Sequence, residues 1–302
     1  MSELWSIFDF LMPGYLHKYT YFRNRFEIPV IKEGYTAALD ELKRMVSPFI
    51  LRRLKKDVLT ELPDKTETVM YTNLAPEQKK LYYANLASIQ KELHTELQSV
   101  SGKNRMVVLA MLTRLRQLCC DPALLYDNYK EESAKFELCM NLVENTIQSG
   151  HKILLFSQFT SMLSMLESAL KARHIPYYLI EGSTKKEERL RQVKAFNHDD
   201  TPVFLISLKA GGTGLNLTGA DVVIHYDPWW NLSAQNQATD RAHRIGQKNS
   251  VSVYKLIVKG TIEEKILALA EKKQSLAEQI LPDDGSILQG MSKEQILDLF
   301  NH

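Results

Sequence analysis

Two short stretches combine the residue types that handle phosphate. The first, Ser207-Leu208-Lys209-Ala210-Gly211-Gly212-Thr213-Gly214-Leu215-Asn216-Leu217, follows directly on a β-rich run at 203–206. Its glycines let the backbone turn sharply and bring N–H groups close to a phosphate, an approach that a Cβ would block. The same pattern also builds plain strand-to-helix turns, so alone it marks either a ligand site or a connection. The second stretch is Gln237-Ala238-Thr239-Asp240-Arg241-Ala242-His243-Arg244-Ile245-Gly246-Gln247. On a helix Arg241 and Arg244 share a face, where their guanidinium forks converge on one polyanion or simply stand in water. Gln237, Asp240 and Gln247 beside them favour a polar network. Between the two stretches lies Asp227-Pro228-Trp229-Trp230-Asn231. Adjacent tryptophans in a loop let one ring pack inside while the other stacks on a base, or else both plug the core.

Groups of this kind need a scaffold, and the second half of the chain supplies the pattern of one. Runs rich in β-branched and aromatic residues at 153–156, 177–180, 203–206, 222–225 and 251–254 alternate with helical periodicity, clearest at 159–172 and 186–196. That alternation predicts a parallel sheet covered by helices on both faces. The first 150 residues read differently. An aromatic, turn-rich opening (Pro13-Gly14-Tyr15, Tyr19-Thr20-Tyr21-Phe22) precedes a helix expected over 36–45, which Ser47-Pro48 stops. The basic run Arg52-Arg53-Leu54-Lys55-Lys56 touches DNA or is merely solvated, 61–65 reads as a loop, and 66–74 as one strand. Long helices are expected at 76–99, opening on Pro76-Glu77, and at 107–118. Thr261-Ile262-Glu263-Glu264 has the form of a capping box opening a helix to about residue 281, and 292–300 reads as a short amphipathic helix.

Composition bounds the answer. The 302 residues carry 38 Lys+Arg against 36 Asp+Glu, a net charge of +2, too balanced to argue for nucleic-acid binding by bulk charge. With 44% hydrophobic residues, the chain is folded rather than disordered. No apolar run approaches the roughly 18 residues needed to span a bilayer, and the first residues lack a signal-peptide pattern. The expected location is therefore the cytoplasm or nucleus, without a membrane partner. Cys119, Cys120 and Cys139 form no C-x-x-C pair and read as apolar helix residues, so neither a disulfide framework nor a metal site is expected.

Taken in order, Leu155-Phe156-Ser157-Gln158-Phe159-Thr160, Glu181-Gly182-Ser183-Thr184, the Gly-rich stretch, Asp227-Pro228-Trp229-Trp230-Asn231 and Asp240-Arg241-Ala242-His243-Arg244-Ile245-Gly246-Gln247 resemble the second-lobe motifs of the Swi/Snf-type ATPases of helicase superfamily two, a family of DNA translocases and remodellers. Residues 4–11 and 49–58 are similar to the stretch between that family's two lobes. The resemblance implies an α/β, RecA-like parallel sheet flanked by helices, with a mainly helical N-terminal extension and a C-terminal brace helix. It divides the chain into the tail of the first lobe with the interlobe segment (1–75), a helical protrusion (76–130), the second RecA-like lobe (131–260) and brace helices (261–302). Arg241 and Arg244 match the arginine fingers, and Gly212, Gly214, Gln237 and Asp240 fall to the nucleotide side of the cleft. Ser157, Gln158, Gly182, Ser183, Thr184, Lys209, Ala210, Gly211, Thr213, Trp230 and Asn231 fall to the DNA side, with Trp229 and Trp230 not separable by spacing. Neither ATP-binding box occurs: the Gly-Lys pair at Gly102-Lys103 is followed by Asn104, and Asp40-Glu41 by Leu42-Lys43. The implied picture is a C-terminal fragment, monomeric, that binds double-stranded DNA, binds no cofactor alone, and meets ATP and Mg2+ only against a complete first lobe. Its location would be the bacterial nucleoid or the eukaryotic nucleus. The competing picture is a stand-alone nucleic-acid or protein-interaction module with a vestigial cleft.

Overall fold

The β-rich runs become six strands: β1 (Lys65–Thr72), β2 (Ile153–Ser157), β3 (Tyr177–Ile180), β4 (Val203–Ser207), β5 (Val222–His225) and β6 (Val251–Val258). They form one sheet in the order β1-β6-β5-β2-β4-β3, parallel throughout. The computed structural model describes residues 1–32, 35–51, 62–96, 103–211, 214–280 and 293–300. The basic run at 52–56 and the residues Gly212 and Thr213 lie outside the described residues, as do the side chains of Lys209 and Gly211.

Every residue of β2 and β4 is buried, and successive side chains enter opposite layers. Ile153, Leu155, Val203 and Leu205 pack beneath the helices Ala134–Gln148 and Thr160–Ala172, among Met140, Val143, Leu163 and Leu166. Leu154, Phe156, Phe204 and Ile206 face Val193 and Phe196 of the Lys186–Phe196 helix and Ala238 of the Leu232–Thr239 helix. The expected two-sided parallel sheet is therefore present. The Ala134–Gln148 helix was not singled out from sequence. β1 pairs with β6 in register from Lys65↔Val251 to Thr72↔Val258, so a strand placed by sequence in the N-terminal extension completes this sheet.

By its packing the chain forms two units, Met1–Thr60 with Lys272–Gly285, and Glu61–Glu271 with Ser286–His302. In the first, the aromatic opening is mainly helical instead of a succession of turns: Ser2–Leu11, Tyr19–Phe22, a π-helical Arg23–Glu27 and Ile28–Lys32. The reason is burial at helical spacing, since Leu4, Phe8, Phe22 and Phe26 share one core with Leu42 and Val46 of the Thr36–Val46 helix. Proline ends that helix as expected, in the 3-10 turn Ser47–Phe49.

In the second unit the helices Pro76–Glu96 and Lys103–Cys120 bury Tyr82, Leu86, Ile89 and Leu93 against Val108, Leu112, Leu115 and Cys119. Ile262, Ile266, Leu299 and Phe300 join the same core. The capping box is shifted by one residue. Thr261 Oγ1 accepts the Glu263 N–H at 3.3 Å, while Glu264 reaches back to the N–H of Gly260, at 2.7 Å, and the Ile262 N–H donates to the Tyr82 hydroxyl at 2.9 Å. All three cysteines are buried helix residues, and burial pushes their thiols up, Cys139 to about 12.

His225 closes β5 and is buried, its ring 5.5 Å from that of Phe156 and its Nε2 3.0 Å from Thr239 Oγ1. Burial first, and the charge of Lys255 second, lower its pKa from the usual 6.5 to about 3. The unfolded chain takes up this proton near pH 6.5 and the folded chain resists it down to about pH 3, so the stability involved is complete above pH 6.5 and drains away as pH falls through that window. His225→Gln is expected to flatten the acid-side loss of stability by up to about 1 kcal/mol per pH unit below the usual histidine pKa. Urea unfolding between pH 7 and pH 4.5 reads it, and an unchanged slope would contradict it.

Candidate nucleotide and nucleic-acid interface

Because all six strands are parallel, each loop leaving a strand's carboxyl end emerges at the same edge of the sheet. Ser157 ends β2 and Gln158 and Phe159 follow it, Glu181–Thr184 follows β3, the helix Leu208–Gly211 follows β4, and Tyr226–Asn231 follows β5. The sheet thus gathers on one edge segments that are far apart in sequence.

The loops after β2 and β5 are bolted together around Asp227, which is fully buried. Ser157 is equally buried; its hydroxyl donates to Asp227 Oδ1 at 2.5 Å and accepts the Phe159 N–H at 3.1 Å, so it serves the interior and not a phosphate in solvent. Gln158 donates through Nε2 to Asp227 Oδ2 and aims its backbone N–H at the same carboxylate. Its Oε1 accepts from Nη1 of Arg116, at 2.8 Å. Arg116 is itself 3% exposed, donates through Nη2 to the Pro228 carbonyl, and stands 3.6 Å from Asp227 Oδ2. Burial pushes the Asp227 carboxyl above its ordinary value, with the Arg116 guanidinium pulling it back. The Trp230 ring lies 5.2 Å from the Arg116 guanidinium carbon and packs, partly buried, on the helical core, whereas Trp229 packs on the sheet core. The two rings therefore diverge, and each is partly covered. Asn231 Oδ1 accepts the Ala234 N–H at 3.0 Å, which makes it the N-cap of the Leu232–Thr239 helix.

After β3, Gly182 and Ser183 are exposed at the tip of a turn. Arg189 holds this turn from below: Nε donates to the Thr184 carbonyl at 2.8 Å, and Nη2 to the carbonyls of Glu181 at 2.9 Å and Gly182 at 3.1 Å. Thr184 Oγ1 accepts the Glu181 N–H at 3.0 Å. After β4, Ala210 is buried, and Gly214 takes φ +51°, a conformation that L side chains adopt only with strain. The chain then passes close to Asn197, whose Oδ1 accepts the Gly219 N–H at 2.9 Å; a Cβ on Gly219 would lie 3.0 Å from the Asn197 Cα.

The arginine pair is not on a helix. The Leu232–Thr239 helix ends before it, and 240–246 run as successive turns. The reason is competing partners. The Arg241 carbonyl accepts the Leu217 N–H at 2.9 Å, tying the arginine segment to the Gly-rich one. Gln247 folds Nε2 beneath the turns, donating to the carbonyls of Ala220 at 2.7 Å and Ala242 at 3.2 Å, so it acts as a brace. His243 Nε2 lies 2.8 Å from the Pro63 carbonyl oxygen. Arg241 is half-buried, Arg244 and Gln237 are exposed, and Asp240 is half-buried. Burial lowers the Arg241 pKa, the positive charge of Arg244 lowers it further, and Asp240 opposes them. Two guanidinium groups that feel each other's charge, on a segment tied to the end of the Gly-rich stretch, fit the chemistry of a polyphosphate. Among the described residues no trio of His, Cys, Asp or Glu gathers as metal ligands, and no helix is long and apolar enough to cross a membrane.

Arg116, Asp227 and Arg189 were not assigned roles from sequence. Arg116 carried a signal: it sits on the helix face that Leu112, Cys119 and Cys120 define at spacings of three and four, and a lone charge on a buried stripe implies a partner.

Comparison with known proteins matches residues 1–124 to the SNF2-related domain and residues 134–246 to the helicase conserved C-terminal domain. An uncharacterized ATP-dependent helicase of Mycoplasma pneumoniae is 38% identical over 301 residues, covering 99% of this chain and 28% of that protein. The chain therefore spans under a third of the length of this relative. The Sulfolobus solfataricus SWI2/SNF2 ATPase core in complex with dsDNA is 38% identical with a TM-score of 0.65, covering 98% of this chain and 63% of that one. The C-terminal domain of the Sulfolobus solfataricus SWI2/SNF2 ATPase is 32% identical with a TM-score of 0.63, covering 78% of this chain and 98% of that one.

Proposed function

The chain belongs to the SWI2/SNF2 family of ATPases, and from that premise we propose that it acts as the second lobe of an ATP-dependent double-stranded DNA translocase. Arg241 and Arg244 are the finger residues in this reading, meeting the transferred phosphoryl group when a first lobe presents ATP. The observation that carries it is the tie between Leu217 N–H and the Arg241 carbonyl, which fastens a half-buried arginine to the end of the Gly-rich stretch. Bound ATP with Mg2+ supplies the phosphoryl group. This chain's own contribution is positive charge at Arg241 and Arg244, with Gly212, Gly214, Gln237 and Asp240 lining the nucleotide side. An arginine fork already in place costs little reorganisation when charge develops on the phosphoryl oxygens. The division into interlobe segment, protrusion, second lobe and brace is part of the same proposal.

DNA is proposed to lie along the exposed tip at Gly182 and Ser183, with Thr184 beside it, and to meet Lys209, Gly211 and Thr213 through its phosphates, whereas Ala210 is buried and serves the core. Ser157, Gln158, Trp230 and Asn231 take part by fixing the loops after β2 and β5, which leave the same edge of the sheet. Backbone amides, small hydroxyls and a lysine position a protein on DNA without reading sequence, which a translocase requires. The support from a relative is that a SWI2/SNF2 core of similar fold has been solved with dsDNA.

The decisive experiment measures ATP hydrolysis with and without double-stranded DNA, for this chain alone and for the chain completed with a first lobe of the family. The expected result is no turnover alone and DNA-stimulated turnover when completed. Turnover by the chain alone would overturn the two-lobe reading in favour of a nucleotide site within these residues.

A further inference from the structure

Arg116 is a cation that the protein buries at the foot of its helical protrusion, and neither the proposed nucleotide chemistry nor the proposed DNA contacts use it. It comes from the Lys103–Cys120 helix, yet its hydrogen bonds go to Gln158, after β2, and to Pro228, after β5. Its guanidinium carbon also lies 5.2 Å from the ring centroid of Trp230 and 5.6 Å from that of Phe159. At 3% exposure it cannot meet a ligand itself. What it can do is choose how Gln158 stands. With Oε1 turned to Arg116 and Nε2 to Asp227, the carboxamide bridges the two charged groups, and both strand-end loops become one rigid piece. Turned the other way, the amide would put N–H against N–H at Arg116 and oxygen against oxygen at Asp227, so only one orientation survives.

We propose that Arg116 is a positioning residue for DNA engagement: through Gln158 and the Pro228 carbonyl it lets the helical protrusion set the alignment of the loops after β2 and β5. The inference rests on the translocase reading above and adds a task for the protrusion beyond packing. A lysine cannot replace the fork, because one ammonium at Asp227 does not span Gln158 and Pro228 together.

The test uses the enzyme completed with a first lobe and measures the double-stranded DNA concentration giving half-maximal ATPase stimulation, alongside kcat at saturating DNA. Arg116→Met and Gln158→Met are each expected to raise that DNA concentration about tenfold, a larger change than in kcat, as losing a charge-assisted hydrogen bond at a contact surface does. The double variant should be no worse than the worse single, because one residue acts through the other. Arg116→Lys retains a cation beside Asp227, keeps the fold, and should show the same shift. Lys152→Met, which removes a largely covered cation at the opposite, amino end of β2, should leave the DNA concentration unchanged. Additive effects of Arg116→Met and Gln158→Met, full rescue by lysine, or an equal shift in Lys152→Met would overturn the proposal while the translocase reading stands. An unmodified enzyme without DNA stimulation would overturn both.

Discussion

Arg241→Ala in the enzyme completed with a first lobe is expected to cut DNA-stimulated ATP hydrolysis by about a thousandfold or more, the usual worth of an arginine finger. The expectation follows from where the guanidinium is held. Arg241 is half-buried, its carbonyl is fixed by the Leu217 N–H, and Gln247 braces the turns around it. A charge held in a partly desolvated place acts more strongly on developing negative charge than one waving in water, and it needs no reordering as the barrier is crossed. Arg244 is exposed, so Arg244→Ala should cost less, on the order of tenfold to a hundredfold. Arg241→Lys should rescue little, since a point ammonium cannot reproduce the fork. A coupled ATPase assay at saturating ATP and DNA decides the matter. Turnover in Arg241→Ala within a few-fold of the unmodified enzyme would remove this residue from the chemistry and leave the cleft with a binding role only.

The sheet was largely legible in the sequence because parallel strands buried on both faces read as short continuous apolar runs, and β2, β3, β4 and β5 fall within one residue of where those runs lie. What periodicity could not reveal was partnership. Thr66 and its neighbours read as a strand, but only the register against Val251–Val258 makes them part of the same sheet. Arg241 and Arg244 read as one helix face, yet the Leu217 N–H and the Gln247 carboxamide draw the backbone into turns; both partners are distant contacts that no local pattern encodes. Ser157 and Gln158 are polar residues at a strand end, which fits either a phosphate contact or a buried brace. The choice depended on Asp227, seventy positions further on, turning inward to meet them. The exposed tip at Gly182 and Ser183 needed no such information, since a turn of small residues after an edge strand has few other places to go.

Lys135→Met is expected to destabilise the protein by about 3–5 kcal/mol, the cost of leaving one member of a buried ion pair without its counter-charge. Lys135 and Glu263 are both fully buried, with Nζ 2.5 Å from each carboxylate oxygen. Burial works to lower the Lys135 pKa, but the Glu263 carboxylate holds it above its ordinary value; burial pushes the Glu263 carboxyl up while Lys135 pulls it back, so each charge depends on the other. The position of Glu263 makes the loss spread. Its Oε2 also accepts the Val258 N–H at 3.0 Å, and its own N–H caps onto Thr261, so the carboxylate joins the end of β6, the start of the Ile262–Ile280 helix and the Ala134–Gln148 helix that carries Lys135. Adding Glu263→Gln to Lys135→Met should recover roughly half of the loss, because an amide oxygen still satisfies Val258 while no uncompensated charge remains. Urea unfolding of the two single variants and the double, at constant m-value, tests this directly. Additive losses would mean that each side chain stabilises the fold through its own packing. Recovery in the double would mean that the pair exists for its mutual neutrality, and that the three elements it joins are held in place by a charge that cannot be left alone.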